Sequence, residues 1–324
     1  MEYSIDMPGK CGAGKMDKNK VIKQQNRQVD AGDFPKVVLI DTISHCNLRC
    51  SMCVHQRMQR KQGVMPQGLF TKIIDEIAEV DKSVRVWMVF FGEPLLLKKT
   101  NPSIFDLIRY AKSKGLIDVV VNSNANLLDK ESARSLIDSG LDAIYFGIDA
   151  FRKETYSQIR VGGDYEKTVA NVVQLLELQK ELNVFHPKVF IQFVEMDLNM
   201  GEKDDFLAFW ATKGATVKIR PKVSWAGEIE ASNLILGNAD RWPCHWAMQT
   251  MSITDAGKVV TCAVDLDAKF IAGDITKQSL KEVWNSNLKS LRRLHEEKLW
   301  DELPVHCSKC RDWQSAHSEY YDSK

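Results

Sequence analysis

An excess of charge of either sign is missing from this 324-residue chain. Lys and Arg number 44 against 43 Asp and Glu, so no overall field gathers nucleic acid or an anionic membrane surface. Long apolar runs are missing too. No stretch approaches the roughly 20 consecutive apolar residues that span a bilayer, and the opening MEYSIDMPGK lacks the apolar run of a secretory signal. The reading is a cytoplasmic protein, with 44% hydrophobic and 27% charged residues and a length that suits one large or two moderate domains with a real core. Cysteine is absent between Cys53 and Cys244. The eight present fall as one, three and four: Cys11; Cys46, Cys50 and Cys53; Cys244, Cys262, Cys307 and Cys310. In a reducing cytosol such grouping points to metal or redox chemistry more than to disulfides.

Periodicity is scarce in residues 1–36, which are rich in Lys, Gln, Asn and Gly and predict an irregular arm. Within it, PGKCGAGKM has the Gly9, Gly14 and Lys15 spacing of a phosphate loop, but Met16 replaces the required Ser or Thr and no strand precedes it, which argues against a nucleotide site. From Val37 the pattern becomes regular. Short apolar runs at 37–43, 84–91, 118–122, 143–148, 188–194 and 216–221 read as buried parallel strands. Amphipathic stretches between them, such as LFTKIIDEIAEV and YEKTVANVVQLLELQKEL, read as helices, and several others end at Gly. Six βα units predict an α/β fold, an open or partial (β/α)6 barrel over residues 37–225, with chemistry at the C-terminal strand ends. Residues 226–324 form an extension in which MQTMSITD and KVVTCAV make a hairpin turning at Asp255 to Gly257, followed by one helix, SLKEVWNSNLKSLRRLHEE.

The segment CNLRCSMC directly follows the first predicted strand. Three thiolates on one loop can hold three corners of an iron–sulfur cube and leave the fourth iron open. A zinc site closed by His45 or His55 is the competing reading, and as plain residues those histidines serve the loop or its packing. The later cysteines, two distant pairs, match a common zinc pattern when taken alone.

In its CxxxCxxC form, with Met52 in the bulky apolar place before the third cysteine, the first segment resembles the cluster-binding motif of the radical S-adenosylmethionine (radical SAM) enzymes. FGEPLL at the end of the second strand resembles that family's GGEP-like turn, which implies that Gly92, Glu93 and Pro94 meet the SAM amino group, with Phe91 where the family often has its first Gly. VVVNSNANLL resembles the third-strand segment and places Asn122, Ser123 and Asn124 near the ligand. FGIDAFRKETYSQIRVGG resembles the fourth-strand SLDG and the IRG that follows, with Gly147 for the usual Ser and Ala150 for the usual Gly. Asp149 then falls among the ribose contacts, and Arg160 pairs with the SAM carboxylate. The spacing from Cys244 to Cys262, then GDITKQSLKEVWN and CSKC, resembles the SPASM or shorter Twitch extension. Because RDWQSAHSEYYDSK holds no further cysteine, the resemblance implies one auxiliary four-iron four-sulfur cluster on Cys244, Cys262, Cys307 and Cys310. The cysteine layout is similar to that of 2-deoxy-scyllo-inosamine dehydrogenases and related sugar- and aminoglycoside-modifying enzymes.

The resemblance implies two four-iron four-sulfur clusters and SAM, whose amino and carboxylate groups chelate the open iron so that one electron releases methionine and a 5′-deoxyadenosyl radical. A flavodoxin or ferredoxin is the expected electron donor. Hydrogen abstraction from a small polar substrate, a sugar, cyclitol or aminoglycoside, is favoured over a peptide, because the residues before the first strand are too few for a leader-binding domain. Oxidation is favoured over epimerisation of a sugar or peptide, since Cys11 is the one thiol not assigned as a ligand and lies in the irregular arm. Arg220, Lys222 and Glu195 near the strand ends are candidate bases. Trp225, Trp242 and Trp246 either stack on a sugar ring or pack a domain junction. A module of another class, a non-catalytic iron–sulfur or zinc protein for electron transfer, has no use for an open iron or for GEP at the next strand end.

Overall fold

The computed structural model describes residues 31–315 and 317–322 and the backbone of 21–25; Cys11 and the phosphate-loop-like segment lie outside the described residues. The strands β1 (Val21–Gln25), β2 (Val37–Ile40), β3 (Arg85–Trp87), β4 (Val119–Ser123), β5 (Ala143–Gly147), β6 (Lys188–Glu195), β7 (Thr216–Pro221), β8 (Thr250–Ile253), β9 (Lys258–Val260), β10 (Ile271–Asp274) and β11 (His317–Tyr321) form one sheet. Its order is β1-β11-β7-β6-β5-β4-β3-β2-β8-β9-β10. The six strands β2 to β7 run parallel, side by side in chain order, so the α/β fold expected from the sequence is present as an unclosed, partial barrel. The helices α1 (Gln67–Val80), α2 (Ile104–Ser113), α3 (Lys130–Asp138), α4 (Lys153–Ile159), α5 (Tyr165–Glu181) and α6 (Lys203–Thr212) connect them.

Alternation along the strands separates two faces. Val38, Val86, Val121, Ile144, Phe146, Ile191, Phe193, Val217 and Ile219 join the main core beneath the helices. Helix α1 meets them with Phe70, Ile73, Ile74 and Ile77, an i, i+3, i+4, i+7 stripe buried to the last residue. The opposite, concave face carries a separate aromatic floor of Val120, Ala143 and Tyr145 against Trp87, Phe190 and Tyr320. Helix α2 starts at a capping box in which Ser103 and Asp106 satisfy each other's backbone N–H.

After β7 come α7 (His245–Gln249), α8 (Leu280–Asn285), α9 (Asn287–Glu296) and α10 (Val305–Ser308). The hairpin β8–β9 forms as its turn residues predict, and β8 also pairs parallel with β2. The extension therefore continues the barrel sheet. Arg60 ties the junction: its guanidinium reaches Asp41 beyond β2 at 2.5 Å and Asp255 in the hairpin turn, while Nε donates to the Leu266 carbonyl at 3.0 Å.

Two expectations need correction, and one strand lies outside any expectation. The arm is not wholly irregular, because β1 lies antiparallel to β11. The unforeseen strand is β11 itself, antiparallel to β7. The long helix after the hairpin is two helices, since Ser286 takes φ −108° and ψ −105° between α8 and α9. The break lets Val283 and Trp284 pack in the main core while Leu291 turns to a separate cluster with Cys244.

Candidate functional site

The loop carrying Cys46, Cys50 and Cys53 leaves the C-terminal end of β2 and is held from two sides. Gly92, in the turn after β3, sits so close that a Cβ there would stand 1.9 Å from the Ile43 carbonyl oxygen and 2.9 Å from that of His45. Only glycine allows that approach. Beside it, the Glu93 N–H donates to the His45 carbonyl at 2.9 Å. From the other side, Arg49 and Ser51 donate backbone N–H groups to the carbonyls of Val161 and Ile159, each at 2.9 Å. Cys50 and Met52 are buried with Leu48, Ile159, Val194 and Met196. His45 is exposed, and the His55 ring lies 2.7 Å from the Ser44 carbonyl, so neither histidine turns to the thiols. Burial pushes Cys46 up to about 12 and Cys53 up to about 11, so anionic sulfur here requires a cationic partner. Among the described residues no three His, Cys, Asp or Glu side chains converge as a single-ion site. Three thiols on one rigid loop suit a larger group with a corner left over.

The Glu93 carboxylate serves the protein itself. One oxygen accepts from Leu95 N–H at 3.0 Å and Ser123 Oγ at 2.8 Å, the other from Asn124 N–H at 2.8 Å. It thereby pins the end of β4 to the turn that carries the cysteine loop. Burial raises its carboxyl, and those hydrogen bonds offset part of the rise. Asn124 Nδ2 continues to Asn47 Oδ1 at 2.8 Å. Asn122 is left with a buried Oδ1 that has no partner.

At the end of β5, Asp149 has φ +62°, is wholly buried, accepts from Val194 N–H at 2.8 Å and forms an ion pair with Arg160. The Arg160 Nη1 lies 3.5 Å from Cys50 Sγ. A Cβ at Gly147 would meet the Arg160 guanidinium at 2.1 Å. The missing serine at 147 and the seat of this arginine are thus one arrangement. Both residues that the motif assigns to SAM contacts, Asp149 and Arg160, are engaged with each other, and the buried Arg160 Nε has no partner.

The three candidate bases do not come together. Arg220, near the end of β7, lies deep beside Asp149, Arg160 and Cys53. Glu195 ends β6 on the helix side by alternation and pairs with Lys203 at 2.8 Å. Lys222 lies half-buried past the end of β7. Sequence reasoning missed Lys218 and Gln192, which share the concave face with Arg220; the period-2 pattern of TVKIRP holds the signal for the lysine.

The four later cysteines line one enclosed, apolar cavity together with Arg241, Thr261, Leu291, His306 and Trp313. Burial raises all four thiols, Cys307 up to about 12. Arg241 donates to the Cys307 carbonyl at 2.9 Å and lies 3.7 Å from its sulfur, and His295 touches the Cys307 sulfur at 3.4 Å. Four thiols around one cavity, with a guanidinium against one sulfur, fit a fully ligated cluster. Trp242 and Trp246 pack into this cluster of residues, Trp242 edge-on to Trp313 at 4.5 Å. Of the three tryptophans, Trp225 is the one between the cysteine groups, against Phe91 at 5.5 Å.

Residues 40–190 match the radical SAM superfamily, and residues 244–311 match the SPASM iron–sulfur cluster-binding domain. A tungsten-containing aldehyde ferredoxin oxidoreductase cofactor-modifying protein of Pyrococcus furiosus is 28% identical over 163 residues, 49% of this chain and 43% of that protein. A GTP 3′,8-cyclase of Hydrogenovibrio crunogenus is 31% identical over 154 residues, 45% of this chain and 42% of that one. The chain spans about half the length of the curated relatives it matches. Among solved structures, BtrN in complex with AdoMet and 2-DOIA superposes with a TM-score of 0.57 at 15% identity, covering 86% of this chain and 93% of that one. SuiB of Streptococcus suis bound to S-adenosylmethionine gives 0.64 at 14% identity, covering 86% and 72%. At such identities the likeness is one of fold.

Proposed function

We propose, for a chain that is a radical SAM enzyme carrying a SPASM domain, that it acts in the cytoplasm and oxidises a small polar substrate, one sugar-sized molecule rather than a peptide. When bound, SAM and the four-iron four-sulfur cluster at Cys46, Cys50 and Cys53 supply hydrogen-atom abstraction from an unactivated carbon. The chain's own residues do the positioning. Gly92 and the Glu93 backbone fix the thiol loop, the Glu93 carboxylate fixes the end of β4, and the Asp149–Arg160 pair places a guanidinium against Cys50. The floor of Trp87, Tyr145, Phe190 and Tyr320 keeps water from entering beneath. A flavodoxin or ferredoxin is the electron donor that fits such a site.

The observation that carries oxidation is the second cavity, in which four thiols face one enclosed, apolar space. A cluster ligated at every corner has no place to bind substrate, and its use is to hold electrons. The test is anaerobic reconstitution followed by SAM and dithionite. Release of 5′-deoxyadenosine with about eight irons per chain is expected, with Cys50→Ala abolishing the release and Cys310→Ala removing about half of the iron. Solvent deuterium retained at an inverted carbon of the product would instead establish an epimerase, and a colourless protein that leaves SAM intact would refute the enzyme.

A further inference from the structure

Between the aromatic floor and the thiol loop, the concave face carries polar side chains that the fold does not use. Asn122 of β4, Gln192 of β6 and Lys218 and Arg220 of β7 point there, because their strand neighbours Val121, Ile191, Phe193, Val217 and Ile219 all pack in the core beneath the helices. Rings from three other strands surround the Lys218 Nζ: Tyr145 at 4.9 Å, Tyr320 at 5.6 Å and Trp87 at 5.9 Å. Among the described residues, the side chains of Lys218, Arg220 and Gln192 make no hydrogen bond and no ion pair, and the Asn122 Oδ1 is buried without a partner. Both cations lie deep yet keep solvent-reachable surface, as groups lining an internal space do.

The other charges around them already have partners. Arg85, paired with Asp118 at 2.8 Å, stands near Lys218, and Arg160, paired with Asp149, stands near Arg220. The anionic groups beside Arg220 are the Asp149 carboxylate, which Arg160 and the Val194 N–H already hold, and the Cys53 sulfur, which the cluster would take; among the described residues none stands beside Lys218. Buried cations without an anion are costly, and native proteins leave few buried polar groups unused. Burial and the neighbouring Arg220 and Arg85 bring Lys218 down to about 7, and a bound anion would restore its proton.

We propose that the substrate carries a carboxylate or a phosphate, held between the guanidinium of Arg220 and the ammonium of Lys218, with Asn122 and Gln192 taking its hydroxyl groups. The proposal rests on the radical SAM reading of the site and narrows its substrate from polar to anionic. An aminocyclitol or aminoglycoside, carrying ammonium groups, would be repelled. A planar guanidinium on a fixed strand grips either anion through two parallel hydrogen bonds.

The test is calorimetric titration of the reconstituted, SAM-loaded protein with inorganic phosphate, a hexose phosphate, the corresponding hexuronic acid, the neutral hexose and the amino hexose. The phosphate or the uronate should bind at least tenfold tighter than the neutral and amino sugars, and which of the two prevails identifies the anion. Arg220→Gln and Lys218→Met should each weaken the preferred anion about tenfold or more, with Arg220→Lys recovering much of the loss. Equal binding of neutral or amino sugars, no binding of any anion, or variants that change iron loading but leave the preference intact would overturn it. Deoxyadenosine release from the same samples separates the two claims. Release without anion preference sinks this inference alone, whereas no release from any sample sinks the reading beneath it.

Discussion

The indole N–H of Trp225 donates to the backbone carbonyl of Met52 at 2.9 Å, which puts a residue after the last barrel strand in contact with the segment between Cys50 and Cys53. The peptide N–H groups flanking it, those of Ser224 and Ala226, end on the Asp312 carboxylate at 2.5 and 2.8 Å, and the Asp312 N–H points at Cys310 Sγ at 3.3 Å. Trp225 and Ala226 both take positive φ, 53° and 58°, a backbone state that needs such anchoring. One loop therefore couples the two cysteine groups. Trp225→Phe keeps an aromatic ring, smaller than the indole, and deletes the donor, and should cost about 1 kcal/mol; Asp312→Ala frees two N–H groups, one buried and one half-buried, and should cost about 2–3 kcal/mol. Denaturant midpoints check this, and an aspartate variant no weaker than the tryptophan variant would show that the loop stands without its anchor.

Gly92→Ala should release the first cysteine group while sparing the second. The atoms a methyl would strike, the carbonyls of Ile43 and His45, are backbone, so the loop itself must shift. The expected protein holds about four irons instead of about eight and releases no deoxyadenosine. Full iron content in this variant would refute the role given to the glycine.

Arg60→Met should be among the most damaging substitutions outside the site. It strands Asp41, wholly buried, and Asp255, nearly so, at a cost of about 3–5 kcal/mol. Burial holds the Asp41 carboxyl up at about 7, against the lowering pull of Arg60. An acid whose folded value lies above its unfolded one is favoured in its protonated form, so the deficit should be largest above pH 7 and shrink in acid. Urea midpoints measured from pH 8 downward decide it, and a deficit that grows in acid contradicts the assignment.

The capping box of α2 gives the opposite sign. Hydrogen bonds from Ser103 Oγ and N–H, with Arg109, hold the Asp106 carboxyl down to about 2 from its ordinary 3.8. Such a group contributes stability above its unfolded value and loses it as pH falls toward the folded one. Ser103→Ala should cost about 1 kcal/mol near neutrality, and the gap to the unaltered protein should narrow between pH 4 and pH 2. A gap that stays constant across that window would assign the cost to something other than the ionised pair.

The six parallel strands were legible because helices cover one of their faces and aromatic side chains pack on the other, which leaves near-continuous apolar runs such as VVLI and AIYFG. The grouping of the thiols was legible from spacing, but spacing left zinc open and the family resemblance supplied the cluster reading. Strand β11 was not, since HSEYY mixes charge with aromatics and stays half-exposed at the margin of the sheet. The break at Ser286 answers to packing of α8 on β10, where Gly273 admits Val283, and no local signal marks it. Glu195 looked like a site residue because strand ends resemble one another until alternation is counted, and the same count moves attention to Lys218. The contacts of Asp312 with Ser224 and Ala226 join residues far apart in the chain, beyond the reach of any pattern.

The tail strand also has a practical bearing. Residues 317–321 occupy the outer hydrogen-bonding groups of β7 and are themselves covered by β1. A proteolytic nick that removes them, or a purification handle that drags them out of register, would bare a row of amides able to zip onto the same row of another molecule. Trimmed material should accordingly self-associate during storage long before its thiol sites are lost.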